Sequence, residues 1–397
     1  MEKKLKLGIF GFGVVGQGLY DIIKTKELNL EIKKFVIKHP EKKRSLPQEL
    51  FYTDPDEILE DPEINTVIEL IDDAEVAFDI VSKALRNGKN VVSANKKMIA
   101  NHLKELVELQ QKYNTSLLYE GAVCGSIPII RNLEEYYDNE LLHSVSGIFN
   151  GSSNYILSKM FNENLSYDIA LKQAQDLGFA ESNPTLDVGG FDSKYKLSIV
   201  ASHAYGLFIN PEEVLNLGID GLSDMDVRFA REKNLKIKLI PTARKINEKQ
   251  VILYVLPKFV STDNIFYQVE NEYNGVQVQA AFADQQFFYG KGAGGHPTGS
   301  AVLSDIAALR YDYRYEYKKH LVSPTSELEG YSPNWDLDIY IRYEGDLLIE
   351  QLGFKSIKER YEAESFKYII GTINLSKLIE HRELLRQEGV FIIEMQS

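Results

Sequence analysis

The sequence predicts an α/β fold in which a doubly wound parallel sheet is followed by an α+β domain and a small C-terminal unit. Through the first 150 residues, strand-like runs alternate with segments of helical period. Runs rich in Val, Ile, Phe and Tyr then occupy 235–290, and the segment after 335 again mixes strands and helices. The chain has 397 residues, more than the roughly 250–300 at which a single core stops growing, so several domains are expected.

The N-terminal domain is predicted to span 1–130 and to be completed by a later segment, 296–318. Strands that alternate with helices predict right-handed crossovers and therefore a parallel sheet. Helical period is clearest in EVAFDIVSKALRNG (75–88), which ends in Gly, and in 97–113. The strand-like runs of the first 150 residues are 5–10, 30–37, 65–71, 90–94, 115–120 and 143–149.

The second domain is predicted to span 131–295. Its first part, 150–235, has helical period, whereas the β-rich runs of 235–290 predict a mostly antiparallel sheet. That sheet favours self-association, so a homodimer or a higher oligomer is expected. A further helix is predicted at 296–314, with Pro near its first turn.

The C-terminal unit is predicted to span 335–397, after a polar, Pro-containing linker at 320–336. Its pattern reads strand, helix, strand, strand, helix, strand, and the second helix is predicted over 375–389. That order is typical of a ferredoxin-like fold.

Composition and charge exclude several classes of function. The net charge of −13 argues against nucleic acid as a partner, because binding to its backbone needs a basic patch. No run of 18 apolar residues predicts a membrane span. The N-terminal apolar run is too short for a signal peptide, and one Cys offers no disulfide framework. A cytoplasmic location is therefore expected.

The clearest motif is glycine-rich and follows the first strand. Gly11, Gly13 and Gly16 have the G-x-G-x-x-G spacing, and Val14 and Val15 open the helix that follows. In this context the glycines permit a tight turn, close approach of a pyrophosphate and helix–strand packing, while the helix N-terminus faces the anion. The pattern predicts a Rossmann-type site for NAD or NADP.

The end of the second predicted strand bears on the choice of cofactor. An acidic residue there would hydrogen-bond the ribose of NAD, but the sequence has Lys38, with Lys42, Lys43 and Arg44 nearby. These charges favour the 2′-phosphate of NADP. The alternative is a basic surface loop with no role in binding.

Six separated motifs together resemble the homoserine dehydrogenase family. Besides the glycine-rich start they are SANKKM (93–98), YEGAVCGSIPIIRNL (119–133), GIFNGSSNYILSKM (147–160), GFAESNPTLDVGGFDSKYKL (178–197) and GKGAGGHPTGSAVLSDI (290–306). The resemblance covers about the first 315 residues. It implies reversible reduction of L-aspartate 4-semialdehyde to L-homoserine with NADPH or NADH, with 131–295 as the substrate-binding and catalytic domain.

The resemblance implies roles for several polar residues of 178–197. Lys196 matches the general acid, and Asp192 matches a residue that contacts both the substrate and Lys196. The alternative is an ordinary helix ion pair, because the two residues are spaced i and i+4. Lys194, two residues from Lys196, is expected to face solvent.

Other positions of the motifs are implied to contact the substrate. Glu181 resembles the residue that holds its amino group, and Gly151 and Ser152 line its side of the site. Asp187 either orients the lysine or the substrate, or caps the helix that follows.

The implied cofactor contacts include positions outside the glycine-rich turn. Lys96 lies near the nicotinamide and the substrate; its alternative is a solvated lysine in a helix's first turn, while Lys97 is expected at the surface. The other implied contacts are Ser93, Gly178, Gly292 and Gly294.

The segment EGAVCGSIP resembles a loop that binds a monovalent cation. The resemblance implies that Glu120 and the carbonyls of Val123, Gly125 and Ile127 hold structural sodium or potassium. A glycine-rich turn without an ion is the alternative. Cys124 in this loop is expected to be inert, and the competing hypothesis is a thiol nucleophile of a semialdehyde dehydrogenase.

Two broader alternatives remain open from the sequence. The chain could be a catalytically silent nucleotide-binding regulator, although it retains Glu181, Asp192 and Lys196. The C-terminal unit resembles a small-ligand-sensing ACT-type domain, which suggests feedback by threonine. A role in dimerisation or as a lid is the alternative for that unit.

Overall fold

The computed structural model describes residues 4–25, 29–138, 141–321, 330–344, 347–364 and 366–396. The strands are β1 Leu5–Phe10, β2 Leu30–Val36, β3 Phe51–Tyr52, β4 Thr66–Glu69, β5 Asn90–Ser93, β6 Leu117–Leu118, β7 Leu142–Ile148, β8 Leu215–Asn216, β9 Lys236–Asn247, β10 Gln250–Val260, β11 Tyr273–Ala280, β12 Asp284–Lys291, β13 Gly330–Tyr331, β14 Asp336–Arg342, β15 Ser356–Glu362, β16 Lys367–Asn374 and β17 Phe391–Glu394. The helices are α1 Val14–Lys24, α2 Asp56–Leu59, α3 Ala74–Arg86, α4 Lys96–Tyr113, α5 Ile129–Arg131, α6 Gly151–Glu163, α7 Tyr167–Asp176, α8 Thr185–Val188, α9 Phe191–Tyr205, α10 Asp224–Glu232, α11 Gly295–Leu309, α12 Lys318–Leu321, α13 Leu347–Leu352, α14 Leu375–Glu380 and α15 Arg382–Leu385.

The chain divides into two compact units. The first consists of 1–138 and 291–318, and the second of 139–290 and 319–397. The segment 335–397, predicted as a module of its own, belongs to the second unit.

The first unit contains a parallel sheet in the order β3-β2-β1-β4-β5-β6. This order confirms the predicted doubly wound, Rossmann-type sheet. Its central strands β1, β4 and β5 are buried along almost their whole length, as expected where helices cover both faces of a sheet. Helix α11 packs against α1 so closely that a Cβ on Gly18 would lie 2.3 Å from backbone atoms of Gly295.

The second unit contains a larger sheet in the order β12-β11-β7-β9-β10-β17-β14-β16-β15. Neighbours pair antiparallel through most of it, including the long hairpin of β9 and β10, as the β-rich sequence predicts. Strand β10 pairs parallel with β17 at a single position, Lys258 with Glu394. The short strands β8 and β13 also pair parallel with β10.

The C-terminal segment has the strand order β17-β14-β16-β15. Numbered within the segment this is 4-1-3-2, the order of a ferredoxin-like unit. The segment shares one hydrophobic core with β8 and β10, to which Leu215, Ile252, Ile339 and Leu385 contribute. The C-terminal strands therefore extend the sheet of the second unit.

Several element boundaries differ from the sequence prediction. The helix predicted over 375–389 is split into α14 and α15 at His381, whose φ of −103° and ψ of 18° leave the helical region. The strand predicted at 115–120 shortens to Leu117–Leu118, and the helix predicted to reach 314 ends at Leu309. Of the predicted linker, 322–329 lies outside the described residues. Within the described part of the chain, no helix is long and apolar enough to cross a membrane.

Candidate active site

The glycine-rich turn of the first unit joins β1 to α1 in a conformation that requires glycine. Gly11 has φ +93°, and a Cβ there would lie 2.5 Å from the carbonyl oxygen of Leu70. A Cβ on Gly16 would lie 2.8 Å from the carbonyl oxygen of Gly11. A Cβ on Gly13, by contrast, meets nothing within 4 Å, so the turn is open on that side.

The start of α1 can accept an anion. Gly13 is its N-cap and supplies no side-chain cap, and its first turn contains no acidic residue. Backbone N–H groups at such a terminus attract negative charge. Val14 is 74% exposed at this end of the helix. The open side of Gly13 and the amides that begin at Val14 and Val15 therefore fit a dinucleotide pyrophosphate.

The basic loop after β2 lies at the surface of the first unit. Lys38 is exposed. Arg44 donates hydrogen bonds to the carbonyls of His39, at 2.7 Å, and Lys42, at 2.8 Å. Its guanidinium lies 5.2 Å from the ring centroid of Phe51. Arg44 thus fixes the loop that presents Lys38 and Lys42.

A buried acid that sequence reasoning missed supports Ser93. Glu69 and Ser93 end the neighbouring parallel strands β4 and β5, and the Ser93 hydroxyl donates to Glu69 Oε2 at 2.5 Å. Glu69 Oε1 accepts from the backbone N–H of Ile71 at 2.7 Å. Burial raises the pKa of Glu69 to about 7. The available signal was an acid at the end of an otherwise apolar strand, at the edge where ligands of such sheets bind.

Asn95 connects this edge to α4. Its side chain caps the helix by accepting from the N–H of Met98 at 2.9 Å, and its own N–H donates to the Ser93 hydroxyl at 3.1 Å. Lys96, the first residue of α4, is half-buried, whereas Lys97 is exposed as predicted.

In the second unit, Asp192 and Lys196 form a buried ion pair on α9. Lys196 Nζ lies 2.7 Å from Asp192 Oδ2, and the two side chains are 9% and 4% exposed. Lys196 Nζ also donates to the carbonyl of Phe149 at 2.7 Å. The i, i+4 spacing brings the pair together, and burial distinguishes it from a solvated helix pair.

Asn150 is the second residue that sequence reasoning missed. Its side-chain amide donates to Asp187 Oδ1 at 2.7 Å and to Asp192 Oδ2 at 3.0 Å. Its side-chain oxygen accepts from the N–H of Ser153 at 2.8 Å and so caps α6. One amide therefore holds two carboxylates from different helices beside Lys196. The signal was an N-cap residue directly before the GSS motif.

The prediction that Lys194 faces solvent is wrong. Its side chain is 2% exposed, and its Nζ donates to Glu212 Oε1 at 3.2 Å. The ammonium also lies 5.2 Å from the ring centroid of Phe191 and 5.7 Å from that of Tyr195. Helix α9 is buried on nearly all sides, so a residue two positions from Lys196 meets protein as well. Burial lowers the pKa of Lys194, and Glu212 opposes that shift.

The segment 178–181 packs beside the start of α6. Gly151 is the first residue of α6, and a Cβ there would lie 2.6 Å from the carbonyl oxygen of Glu272. The Ser152 hydroxyl donates to the carbonyl of Phe179 at 2.5 Å, next to Gly178, whose φ is +75°. Glu181 is exposed, and its carbonyl accepts from Gln175 at 3.0 Å.

In the first unit, Glu120 caps the helical segment that starts at Ile129. Its two carboxylate oxygens accept from the backbone N–H groups of Ile130, at 2.8 Å, and Arg131, at 2.9 Å. Its own N–H donates to Asp305, which pairs with Arg131 at 2.7 Å. Burial first, and then the charge of Asp305, raise the pKa of Glu120.

The loop after Glu120 has an unusual backbone. Cys124 and Gly125 have φ of +54° and +55°, and a Cβ on Gly125 would lie 2.6 Å from backbone atoms of Gly292. Ser126 donates its N–H to the carbonyl of Lys291 at 3.0 Å, which holds the loop against the segment leading to Gly294, the N-cap of α11. The carbonyl of Ile127 accepts from the N–H of Ile129 at 2.8 Å.

Two further observations concern the chemistry of this loop. The thiol of Cys124 is fully buried, which disfavours a nucleophile, because reactive thiols are partly exposed. Over the described ranges, no group of three or more His, Cys, Asp or Glu side chains is placed to hold a metal ion. A cation near Glu120 would therefore depend on backbone carbonyls such as those of Val123 and Gly125.

Comparisons with known proteins identify the same family, homoserine dehydrogenase, for segments of both units. A family model described as homoserine dehydrogenase matches 128–307, and a model of the homoserine dehydrogenase NAD binding domain matches 11–120. A homoserine dehydrogenase of Bacillus subtilis is 34% identical over 343 residues, covering 81% of this chain and 79% of that protein. A homoserine dehydrogenase of Helicobacter pylori is 38% identical over 317 residues, covering 78% and 74%.

Solved structures of homoserine dehydrogenases are also similar to this chain. A crystal structure of a homoserine dehydrogenase from Thiobacillus denitrificans has a TM-score of 0.82 and 28% identity, with 100% of both chains covered. A hyperthermophilic archaeal homoserine dehydrogenase in complex with NADPH has a TM-score of 0.68 and 28% identity. That comparison covers 79% of this chain and 99% of the other.

Proposed function

The chain belongs to the homoserine dehydrogenase family, and from that premise we propose that it reversibly reduces L-aspartate 4-semialdehyde to L-homoserine with NADPH or NADH. The observation that carries the proposal is the buried pair of Asp192 and Lys196, clamped by Asn150. Mixing the purified protein with L-homoserine and NADP and following nicotinamide absorbance tests it. The reverse assay uses L-aspartate 4-semialdehyde with NADPH or NADH, and absence of turnover in both directions would refute the activity.

Lys196 is the proton donor in this proposal. When bound, the reduced nicotinamide supplies the hydride to the aldehyde carbon, and the lysine ammonium gives a proton to the aldehyde oxygen. In the oxidative direction the neutral amine takes that proton back. Asp192 and the Phe149 carbonyl hold Nζ in place, so that little reorganisation is needed as charge develops.

The substrate's ammonium group requires carboxylates. Asp187 and Asp192 are held together by Asn150, and Glu181 stands exposed a few residues before Asp187. We assign the amino group of the substrate to Glu181 and the orienting roles to Asp187 and Asp192. Gly151 and Ser152, at the start of α6, border the substrate in this assignment.

NADP is the proposed preferred cofactor. Lys38 and Lys42 stand in the loop that Arg44 fixes, where a 2′-phosphate would supply about two negative charges. Ser93, Lys96, Gly178, Gly292 and Gly294 complete the proposed cofactor contacts.

A structural sodium or potassium ion is proposed at the loop after Glu120. A carboxylate offers about four lone-pair sites, and backbone amides occupy two of those on Glu120. The carboxylate therefore retains capacity beside the carbonyls of Val123, Gly125 and Ile127, and oxygen ligands suit a hard cation. A melting temperature equal in sodium, potassium and tetramethylammonium salts would remove this proposal.

Self-association and a cytoplasmic location are also proposals. The outer strand β12, with Phe282 80% exposed next to it, supports a homodimer formed along this sheet edge. A single cysteine suits the reducing cytoplasm.

Feedback by threonine is proposed for the C-terminal segment. A cavity of about 620 Å³ lies between 217–222 and 385–392, and both acids and arginines line it, including Asp220, Glu344 and Arg386. That mixture suits the two charged groups of an amino acid. Turnover unaffected by high threonine concentration would exclude this regulation.

A further inference from the structure

The turn between α8 and α9 is held by the segment around β8. Asn216 donates its side-chain amide to the carbonyl of Gly189 at 2.7 Å, and Ile219 donates its N–H to the carbonyl of Val188 at 2.7 Å. A Cβ on Gly218 would lie 1.8 Å from the Val188 carbonyl oxygen, so the two segments are in direct backbone contact. This turn separates Asp187 from Asp192, and its position sets the distance between their carboxylates.

Arg386, at the end of α15, fixes the orientation of Asn216. Its Nη2 donates both to the backbone carbonyl of Asn216 and to Asn216 Oδ1, each at 3.1 Å. With Oδ1 occupied by a cation, the Asn216 amide nitrogen must face Gly189. The same guanidinium lies 5.2 Å from the ring centroid of Phe191, the residue before Asp192.

A second arginine, Arg382 of α15, is linked to α9 through Glu212. Arg382 donates to the backbone carbonyl of Glu212 at 2.8 Å, and the Glu212 carboxylate binds the buried Lys194. Both arginines come from a segment that shares its core with β8 and β10. The C-terminal segment is therefore linked to α9 through its two arginines and to β8 and β10 through the shared apolar core.

We propose that Arg386 is a positioning residue for the reaction, which acts through Asn216 and Phe191 to hold Asp187 and Asp192 at their working separation. The inference rests on the proposed roles of Asp192 and Lys196. Arginine suits this place because one terminal nitrogen donates to two oxygens of Asn216 while the planar guanidinium lies over the ring of Phe191. A lysine ammonium could donate to the same oxygens, but it has no planar face to lie over that ring.

The test compares Arg386→Ala with Arg360→Ala, an exposed arginine on β15 of the same segment. R386A is expected to lower kcat/KM for L-homoserine about tenfold, the usual effect of losing a hydrogen bond to a charged group. Its affinity for NADP should stay within twofold of wild type, as should every constant of R360A. Arg386→Lys should recover part of the loss.

A double-mutant cycle separates positioning from general destabilisation. If Arg386 acts through Asn216, adding Asn216→Ser to R386A should lower kcat/KM little further, whereas independent effects would multiply. The inference is overturned if R386A behaves like R360A, if the two changes multiply, or if R386A loses NADP affinity in proportion to turnover. Lys196→Met tests the underlying function separately, because its loss of turnover does not depend on Arg386.

Discussion

The ammonium of Lys196 lies 2.7 Å from Oδ2 of Asp192, and each side chain is more than nine-tenths buried. A buried ion pair is weak evidence for stability, because desolvation offsets most of the attraction between the charges. Here the pair is joined by the Asn150 amide and the Phe149 carbonyl, so both charged groups have fixed directions. Such a pre-oriented donor is what a reduction that ends in proton transfer requires.

Asn150→Asp should impair catalysis more than stability. The new carboxylate keeps the oxygen that caps α6, but it replaces a donor with a third negative charge beside Asp187 and Asp192. We expect kcat/KM for L-homoserine to fall at least about a hundredfold, within the range for misplaced acid–base groups. Steady-state kinetics and a thermal melt check this. A drop in melting temperature without a kinetic effect would contradict it.

Lys194→Met should leave turnover nearly intact. Lys194 is buried but paired with an exposed Glu212, and replacing a buried charge by an apolar side chain of similar size is often neutral or stabilising. We expect kcat within about threefold of wild type and a melting temperature that is unchanged or higher. A loss of turnover comparable to that of a Lys196 variant would contradict the assignment of the proton donor.

Glu69 should make stability depend on pH. Its folded pKa of about 7 lies above the ordinary value of 4.5. As pH rises, Glu69 therefore loses its proton in the unfolded chain before it does so in the folded protein. The contribution of Glu69 to the free energy of unfolding is therefore complete below about pH 4.5 and is lost as pH rises through 7. The full loss is about 3 kcal/mol, at 1.36 kcal/mol per pKa unit.

Glu69→Gln removes that titration and tests its sign. The difference in unfolding free energy between pH 5 and pH 8 should be smaller in E69Q than in wild type. Glu108→Gln, a change at an exposed glutamate on α4 of the same unit, should leave the difference unchanged. An E69Q profile parallel to that of wild type would contradict the prediction.

Lys38→Glu should shift the cofactor preference. An acid at this place repels the 2′-phosphate of NADP and can accept from the ribose of NAD. We expect the KM for NADP to rise about tenfold, and the KM for NAD to stay the same or fall. Lys97→Glu, at an exposed site on α4, is the matched control. Equal effects of K38E on both cofactors would contradict the proposal.

The parallel sheet and the dinucleotide turn could be predicted because local signals agree there. Strand and helix periods alternate, and Gly11 and Gly16 occupy positions where a Cβ would collide with backbone. The C-terminal topology was predicted for the same reason. The break at His381 was not, because Arg382 and Arg386 bind carbonyls of residues 170 positions away along the chain. Such tertiary contacts override helix period.

Some contacts of the candidate site could be predicted from the sequence. The i, i+4 spacing of Asp192 and Lys196 places them on one helical face, and the roles proposed for them come from the resemblance to the family motif. Asn150 was missed because its partners lie 37 and 42 residues away, and Glu69 because burial alone distinguishes it from other acids. Lys194 was misplaced because a polar sequence predicts a solvated face, whereas α9 is enclosed by the second unit.

Lys196→Met, compared with Lys194→Met on the same helix, tests whether Lys196 is the proton donor. Both lysines are buried, so both changes remove a buried charge and differ only in the side chain's surroundings. We expect K196M to lose at least about a thousandfold in kcat with L-homoserine, as expected for loss of a general acid, and still to bind NADP. K194M should turn over near the wild-type rate. A K196M enzyme with wild-type kcat, or equal losses in the two variants, would rule out Lys196 as the proton donor.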